Sequence, residues 1–255
     1  MPADIRVFRC LEDNIGVLLR DPETGRCAAI DAPEEAAVER ALDTAGWQLI
    51  DILVTHRHFD HVQGIPGLKR RTGCRVVAPA RAKGEVPDVD EWVSEGDRVA
   101  VGALAGAVWE TPGHCRDHVT YWFEADRLAF AGDTLFTLGC GRVMESPYET
   151  MWASLERFAD LPGDAQVYSG HDYVRANARF ALAADPDNAA LKARAAEADR
   201  AAREGRFLVP STMAEERATN PFLRATEPAL ARSVDRPGAS PDAVFKALRE
   251  WKNRF

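Results

Sequence analysis

The chain has 255 residues, 46% of them hydrophobic and 28% charged, with 15 prolines, which excludes a fibrous or disordered protein and leaves one or two globular domains. Lys+Arg 32 against Asp+Glu 40 give a net charge of -8, which repels a phosphate backbone, so no nucleic-acid partner is expected. The cysteines Cys10, Cys27, Cys74, Cys115 and Cys140 are scattered and form no CxxC pair. They read as free thiols of a reducing compartment; with no apolar leader pattern and no run of about 18 apolar residues, a cytoplasmic monomer with no membrane contact is expected.

In chain order, residues 15–20 and 27–31 are short apolar runs separated by the turn sequence Asp21-Pro22-Glu23-Thr24-Gly25, which predicts a hairpin. Residues 34–45 have helical spacing. Residues 50–54 then read as a buried strand that opens directly into Thr55-His56-Arg57-His58-Phe59-Asp60-His61. Further strands are predicted over 74–78, 107–110, 119–123, 128–131 and 166–169. Three of these lead into polar groups, Thr111-Pro112-Gly113-His114, Gly132-Asp133-Thr134 and Gly170-His171-Asp172, so each delivers a candidate ligand where a rigid strand becomes a loop. Ser146-Pro147-Tyr148-Glu149 has a capping-box pattern with Pro at the first helical position, predicting a helix to about residue 159. Beyond His171 the chain becomes Ala- and charge-rich with helical spacing over 174–204, broken at Asp185-Pro186-Asp187. A last helix starts at Ser240-Pro241, with Val244, Leu248, Trp251 and Phe255 on one stripe. The division expected is residues 1–172 for a strand-and-helix catalytic domain and 173–255 for a helical domain.

Only six histidines occur in the chain, and three of them, His56, His58 and His61, lie within six residues, a clustering whose chance for a fixed trio of positions is on the order of 10⁻⁵. In an extended segment His56 and His58 point the same way and can bind one ion together. Asp60 and His61 follow in a turn and can reach a second position. The remaining strand-end groups complete two sets: His56, His58, His114 and Asp133 for a first ion, and Asp60, His61, His171 and Asp133 for a second, with the two oxygens of Asp133 as the bridge. Alone, His114 or His171 would read as a hydrogen-bonded structural histidine; beside the cluster each reads as a ligand. His118 is the surplus histidine and reads as a support or structural residue, and Cys115 and Cys140 as inert thiols. Nitrogen and oxygen donors without thiolate suit two divalent ions, Zn²⁺ first, with Fe or Mn also allowed.

The His56-Arg57-His58-Phe59-Asp60-His61 run is similar to the HxHxDH signature of the metallo-β-lactamase superfamily. Together with residues 111–114, 132–136, Gly139-Cys140-Gly141-Arg142, Gly170-His171-Asp172-Tyr173, Asn220-Pro221-Phe222-Leu223-Arg224 and 249–255, it resembles the hydroxyacylglutathione hydrolase, or glyoxalase II, family from end to end. The resemblance implies an α/β fold, the αββα metallo-β-lactamase-type sandwich with a C-terminal helical domain, and hydrolysis of S-2-hydroxyacylglutathione thioesters such as S-D-lactoylglutathione, the step expected in methylglyoxal detoxification. It also implies glutathione binding by Arg142, Tyr173, Arg249 and Lys252. The spacing of Arg249 and Lys252 agrees, because residues three apart on a helix share a face and make a local basic patch. Three positions depart from the family pattern: Met144 where an aromatic residue is common, Ser146-Pro147 where Gly-Thr is common, and Asp117 where many members have glycine, a change that removes no ligand.

The chemistry expected is attack by a metal-bridging hydroxide formed near neutral pH, oriented by Asp60, on a carbonyl polarised by metal. A thiolate with a solution pKa of about 8.5 can leave without prior protonation. The competing readings on the same motifs are a persulfide dioxygenase-like iron oxidoreductase and another hydrolase of the same fold, and the C-terminal helices with their paired cations argue against both.

Overall fold

The computed structural model describes residues 2–255. The chain forms two compact units, one of Met1–Glu110 with Asp117–Gly132, the other of Thr111–Arg116 with Asp133–Phe255.

The first unit begins with β1 (Asp4–Cys10), β2 (Asn14–Arg20) and β3 (Cys27–Ile30), followed by α1 (Glu35–Ala45), β4 (Leu49–Leu53), α2 (Phe59–Val62), α3 (Ile65–Thr72), β5 (Arg75–Pro79) and β6 (Glu91–Val93). These six strands make one sheet in the order β1-β2-β3-β4-β5-β6. The β2–β3 hairpin is antiparallel with Val17 opposite Ile30, and β3–β4, β4–β5 and β5–β6 are parallel. Parallel neighbours need crossovers; α1 supplies the one between β3 and β4, and α3 lies in the one between β4 and β5. Their apolar faces, Val38 and Leu42 from one and Ile65 and Leu68 from the other, pack with Leu18, Ile52 and Val76 in a single buried cluster. Gly46 ends α1 at φ 67°, a left-handed turn that favours glycine. The unit continues with β7 (Arg98–Val101), β8 (Leu104–Glu110), β9 (Val119–Phe123) and β10 (Leu128–Gly132), an antiparallel run in which β9 and β10 are buried along their whole length. Tyr121 of β9 donates its hydroxyl to the Val54 carbonyl just past β4, at 2.7 Å. This ties the run to the loop that holds the histidine cluster.

In the second unit β11 (Leu135–Phe136) and β12 (Gly139–Cys140) form a short hairpin, followed by α4 (Tyr148–Ala159), β13 (Gln166–Ser169), α5 (Val174–Ala184), α6 (Ala189–Arg203), β14 (Ser211–Thr212), α7 (Met213–Thr219), α8 (Pro228–Ser233) and α9 (Pro241–Lys252). Strands β13 and β14 pair antiparallel. Ala178, Ala181, Leu191, Ala195 and Ala198 bring α5 and α6 together over Leu138 and Leu208. Helix α9 buries Val244, Phe245 and Leu248, whereas Phe255 lies past its end and is 61% exposed, so the apolar stripe is shorter than its spacing suggests.

One local expectation is corrected. Helix α4 has no capping box: Pro147 is itself the N-cap, in an extended conformation (ψ 153°) and without a side-chain cap bond, so the helix starts one residue later and Ser146 is displaced from the capping position. The box occurs instead on α7, where Thr212 accepts from the Glu215 backbone and the Glu215 carboxylate accepts from the Thr212 backbone. Asp60 and His61 lie in the single helical turn of α2.

Candidate metal centre and substrate cavity

In the first unit the donors follow β4. His56 is fully buried and His58 half-buried, and their ring nitrogens Nε2 and Nδ1 converge to 3.0 Å. The other nitrogen of His56, Nδ1, lies 3.0 Å from the Thr55 hydroxyl. That hydroxyl donates to Asp31 Oδ2 at 2.8 Å, and Asp31 Oδ1 accepts from the Thr55 backbone at 2.7 Å. With its hydrogen committed to Asp31, the Thr55 oxygen accepts from His56, which leaves Nε2 as a lone pair. His61 is set in the same way: its Nδ1 donates to Asp31 Oδ2 at 2.8 Å, and its Nε2 faces Asp60 Oδ2 at 3.8 Å. Asn14, buried in β2, donates to both the Asp60 carbonyl and its Oδ2 at 3.1 and 3.2 Å. Between the first two histidines, the backbone N–H of Arg57 donates to Asp117 at 2.9 Å, and its guanidinium pairs with the same carboxylate and with Glu85. The departure at Asp117 thus anchors the ligand segment. His118 stacks on His56 with ring centroids 5.0 Å apart, as a support behind it.

In the second unit Asp133 Oδ2 lies 3.5 Å from His114 Nε2 and 3.4 Å from His171 Nε2. His114 Nδ1 donates to the Arg142 carbonyl at 2.9 Å, so its Nε2 also presents a lone pair. All three side chains are buried. Lone pairs turned toward carboxylate oxygens at such distances repel unless a cation lies among them, and each histidine whose tautomer is set has its second nitrogen tied to an acceptor, the usual arrangement behind a metal ligand. The donor set therefore fits divalent metal.

A cavity of about 350 Å³ in the second unit is lined by His114, Asp133, Phe136, Cys140, Arg142, Met144, Tyr173, Asn177, Arg249 and Lys252. All four residues assigned to glutathione by resemblance meet there. Tyr173 stacks on His171 at 4.8 Å and 4°. Arg142 is exposed and forms no ion pair among the described residues. Arg249 is not a surface cation: it is 4% exposed, its Nη1 donates to the Cys140 carbonyl at 2.8 Å, and its guanidinium lies 5.0 Å over the Phe222 ring. Its Nε–H is buried without an acceptor, a donor that a ligand carboxylate would satisfy. Lys252 sits over Phe180 at 5.4 Å; burial, with Arg249 beside it, pushes its ammonium down to about 8. Burial likewise raises the Cys140 thiol, with Arg249 partly offsetting this, so Cys140 lines the cavity as an inert thiol. All the cysteines of the described residues are free and buried. A Cβ at Gly141 would collide with the Asp133 carbonyl oxygen, which explains why this turn carries glycine next to a ligand.

Asp31, Thr55 and Asn14 were not evident in the sequence as site residues. Asp31 carries one retrospective signal, an acidic residue at the end of a buried strand.

The fold and donor set are those of a metal-binding hydrolase class, and comparison with known proteins agrees. The model of the metallo-beta-lactamase superfamily matches residues 23–171, and that of the hydroxyacylglutathione hydrolase C-terminus matches residues 172–255. The chain is 71% identical over 253 residues to a hydroxyacylglutathione hydrolase of Methylobacterium nodulans, covering 99% of each, and 52% identical to one of Bradyrhizobium sp. (strain ORS 278), covering 100% of each. Among solved structures it is similar to ETHE1 from Myxococcus xanthus (TM-score 0.69, 26% identity, 97% of this chain and 90% of that one), and to TTHA1623 in a di-iron-bound form (TM-score 0.54, 26% identity, 65% and 90%). The chain belongs to the hydroxyacylglutathione hydrolase family and is a metal-dependent hydrolase.

Proposed function

We propose that the chain hydrolyses S-2-hydroxyacylglutathione thioesters, S-D-lactoylglutathione foremost, to glutathione and a 2-hydroxy acid at a centre of two divalent ions. His56, His58 and His114 would hold the first ion, Asp60, His61 and His171 the second, with Asp133 shared. The observation that carries the reading is the cavity in which two of these donors, His114 and Asp133, line the same walls as Arg142, Tyr173, Arg249 and Lys252. A substrate with one end at the ligands therefore has cations within its own length. Family membership supplies the substrate class. The di-iron form of a relative supports two ions rather than one; Zn²⁺ is the ion assigned, with Fe and Mn suited to the same donors.

Divalent metal at these donors would lower the pKa of coordinated water and polarise the thioester carbonyl. Asp60, steadied by Asn14, accepts a hydrogen bond from the attacking water and orients it. Arg249 and Lys252 bind the carboxylates of the glutathione portion, and Tyr173 packs along it. The water oxygen bonds to the acyl carbon as one of its protons passes by way of the Asp60 carboxylate to solvent, the C–S bond breaks, and glutathione leaves as thiolate, so no general acid is required.

Residues 1–172 carry the catalysis and residues 173–255 the substrate grip, a division supported by the two family-model matches. The enzyme acts in the cytoplasm, for which the free buried thiols are the support; no helix of the described residues is long and apolar enough to cross a membrane. One chain supplies every donor named, which favours a monomer. Incubation of metal-loaded protein with S-D-lactoylglutathione, with thioester absorbance and oxygen uptake followed together, tests the assignment. Thioester loss without oxygen uptake is the result expected, and oxygen uptake with no thioester loss would overturn it.

A further inference from the structure

The motif Asn220-Pro221-Phe222 and the hairpin β11–β12 have no role in the chemistry above, yet the hairpin carbonyls are taken up one after another by side chains of the helical region. Asn220 donates to the carbonyls of Phe136 and Gly139 at 3.2 and 2.9 Å. Glu216 accepts from the Leu138 backbone at 2.9 Å, which holds that residue in a left-handed conformation (φ 60°). The Cys140 carbonyl receives Arg249. The Thr137 carbonyl accepts from Asn177 Nδ2 at 3.0 Å, and this bond fixes which way the amide faces. Its Oδ1 then accepts from Lys252 Nζ at 2.6 Å. Asn177 is 2% exposed and packs so closely on Gly139 that a Cβ there would overlap its amide, so it has no room to turn.

We propose that Asn177 is a positioning residue of the glutathione site, holding the Lys252 ammonium at the cavity wall through the β11–β12 hairpin. This rests on the glutathione-thioester reading. Lysine is a flexible point charge that loses rotamer freedom when immobilised. A protein acceptor already in place spends that entropy before substrate arrives, so the effect belongs in binding rather than in the chemical step. The hairpin is the common base for both cations, since the Cys140 carbonyl sets Arg249 and the Thr137 carbonyl, through Asn177, sets Lys252.

The test is a double-mutant cycle on metal-loaded enzyme with Asn177→Ala, Lys252→Ala and the pair, reading KM and kcat for S-D-lactoylglutathione and the competitive inhibition constant of S-methylglutathione, which cannot be hydrolysed. Asn177→Ala should raise KM and the inhibition constant together, by about threefold to tenfold, with kcat within about twofold. The pair should be no worse than Lys252→Ala alone, because the asparagine has nothing left to position. Additive effects in the pair, an unchanged KM in Asn177→Ala, or a fall in kcat with metal loss would each overturn the proposal. Wild-type enzyme that neither turns over the thioester nor binds S-methylglutathione would instead sink the substrate reading itself.

Discussion

Asp31 and His61 are joined by a 2.8 Å hydrogen bond from the imidazole Nδ1 to a carboxylate oxygen that also takes the Thr55 hydroxyl, and Asp31 holds a left-handed backbone (φ 58°) to do so. Left-handed backbone is uncommon outside glycine and tolerated best by Asn and Asp. A position that keeps it at the end of a buried strand, with its carboxylate serving one proposed ligand directly and the neighbour of another, is placed for the site rather than for the sheet.

Asp31→Ala should therefore weaken metal binding by about 10- to 100-fold, the usual effect of removing the group behind a ligating histidine. Metal retained during dialysis against a graded chelator measures this, and an unchanged chelator midpoint would mean that His61 is oriented by something else.

Asp133→Ala should abolish turnover and reduce bound metal from about two ions toward one or none. Along the same line, His114→Gln should lose metal and activity, whereas His118→Gln, which removes a ring stacked on His56 and no proposed ligand, should be milder. Equal metal loss in the two histidine variants, read by elemental analysis, would show that the ligand set is misassigned.

The depressed ammonium of Lys252 gives a pH signature with two opposed signs. Below about 8 the side chain is charged and can bind a carboxylate; as pH rises through that value the charge is lost, so kcat/KM should fall on the alkaline side. Folding responds the other way: a base with a lowered folded-state pKa stabilises the fold as pH rises from about 8 toward the ordinary lysine value of about 10.4. Lys252→Arg, which stays charged, should remove the alkaline loss of kcat/KM, and a profile identical to wild type would assign that limb to another group.

Replacing both Arg249 and Lys252 by Ala should raise KM for the glutathione thioester by one to two orders of magnitude, roughly 1.4 to 2.8 kcal/mol, with a much smaller change in kcat. Both contacts are to the part of the substrate that does not react. A thioester lacking the glutamyl and glycyl ends should show no such penalty. A wild-type KM for the glutathione thioester would refute the binding role of α9.

The proposed ligands could be read from the chain because metal chemistry accepts few residue types, and because each was delivered by a recognisable strand that stops at a polar group, as at residues 54–56 and 131–133. The strands themselves were legible where apolar runs were unbroken, as in β9 and β10. What could not be read depends on partners far away in sequence. Arg249 looks like a solvated cation on a helix face, and only the Cys140 carbonyl, 109 residues earlier, makes it a buried wall of the cavity. Asn14 shows no pattern that separates it from ordinary strand polar residues, and Asp31 shows only an acidic group at the end of a buried strand. The capping sequence at residues 146–149 misled because Pro147 adopted an extended conformation, while the box at Thr212 lay in a segment with no apolar period to draw attention to it.

Stripping the protein of metal and restoring Zn²⁺ in measured equivalents, with the rate on S-D-lactoylglutathione read at each step, decides whether two ions drive the hydrolysis. A two-metal hydrolase should show no turnover without metal and a rate that climbs to a plateau at about two equivalents per chain. Hydrolysis that is unaffected by stripping, or a plateau already complete at one equivalent, would contradict it.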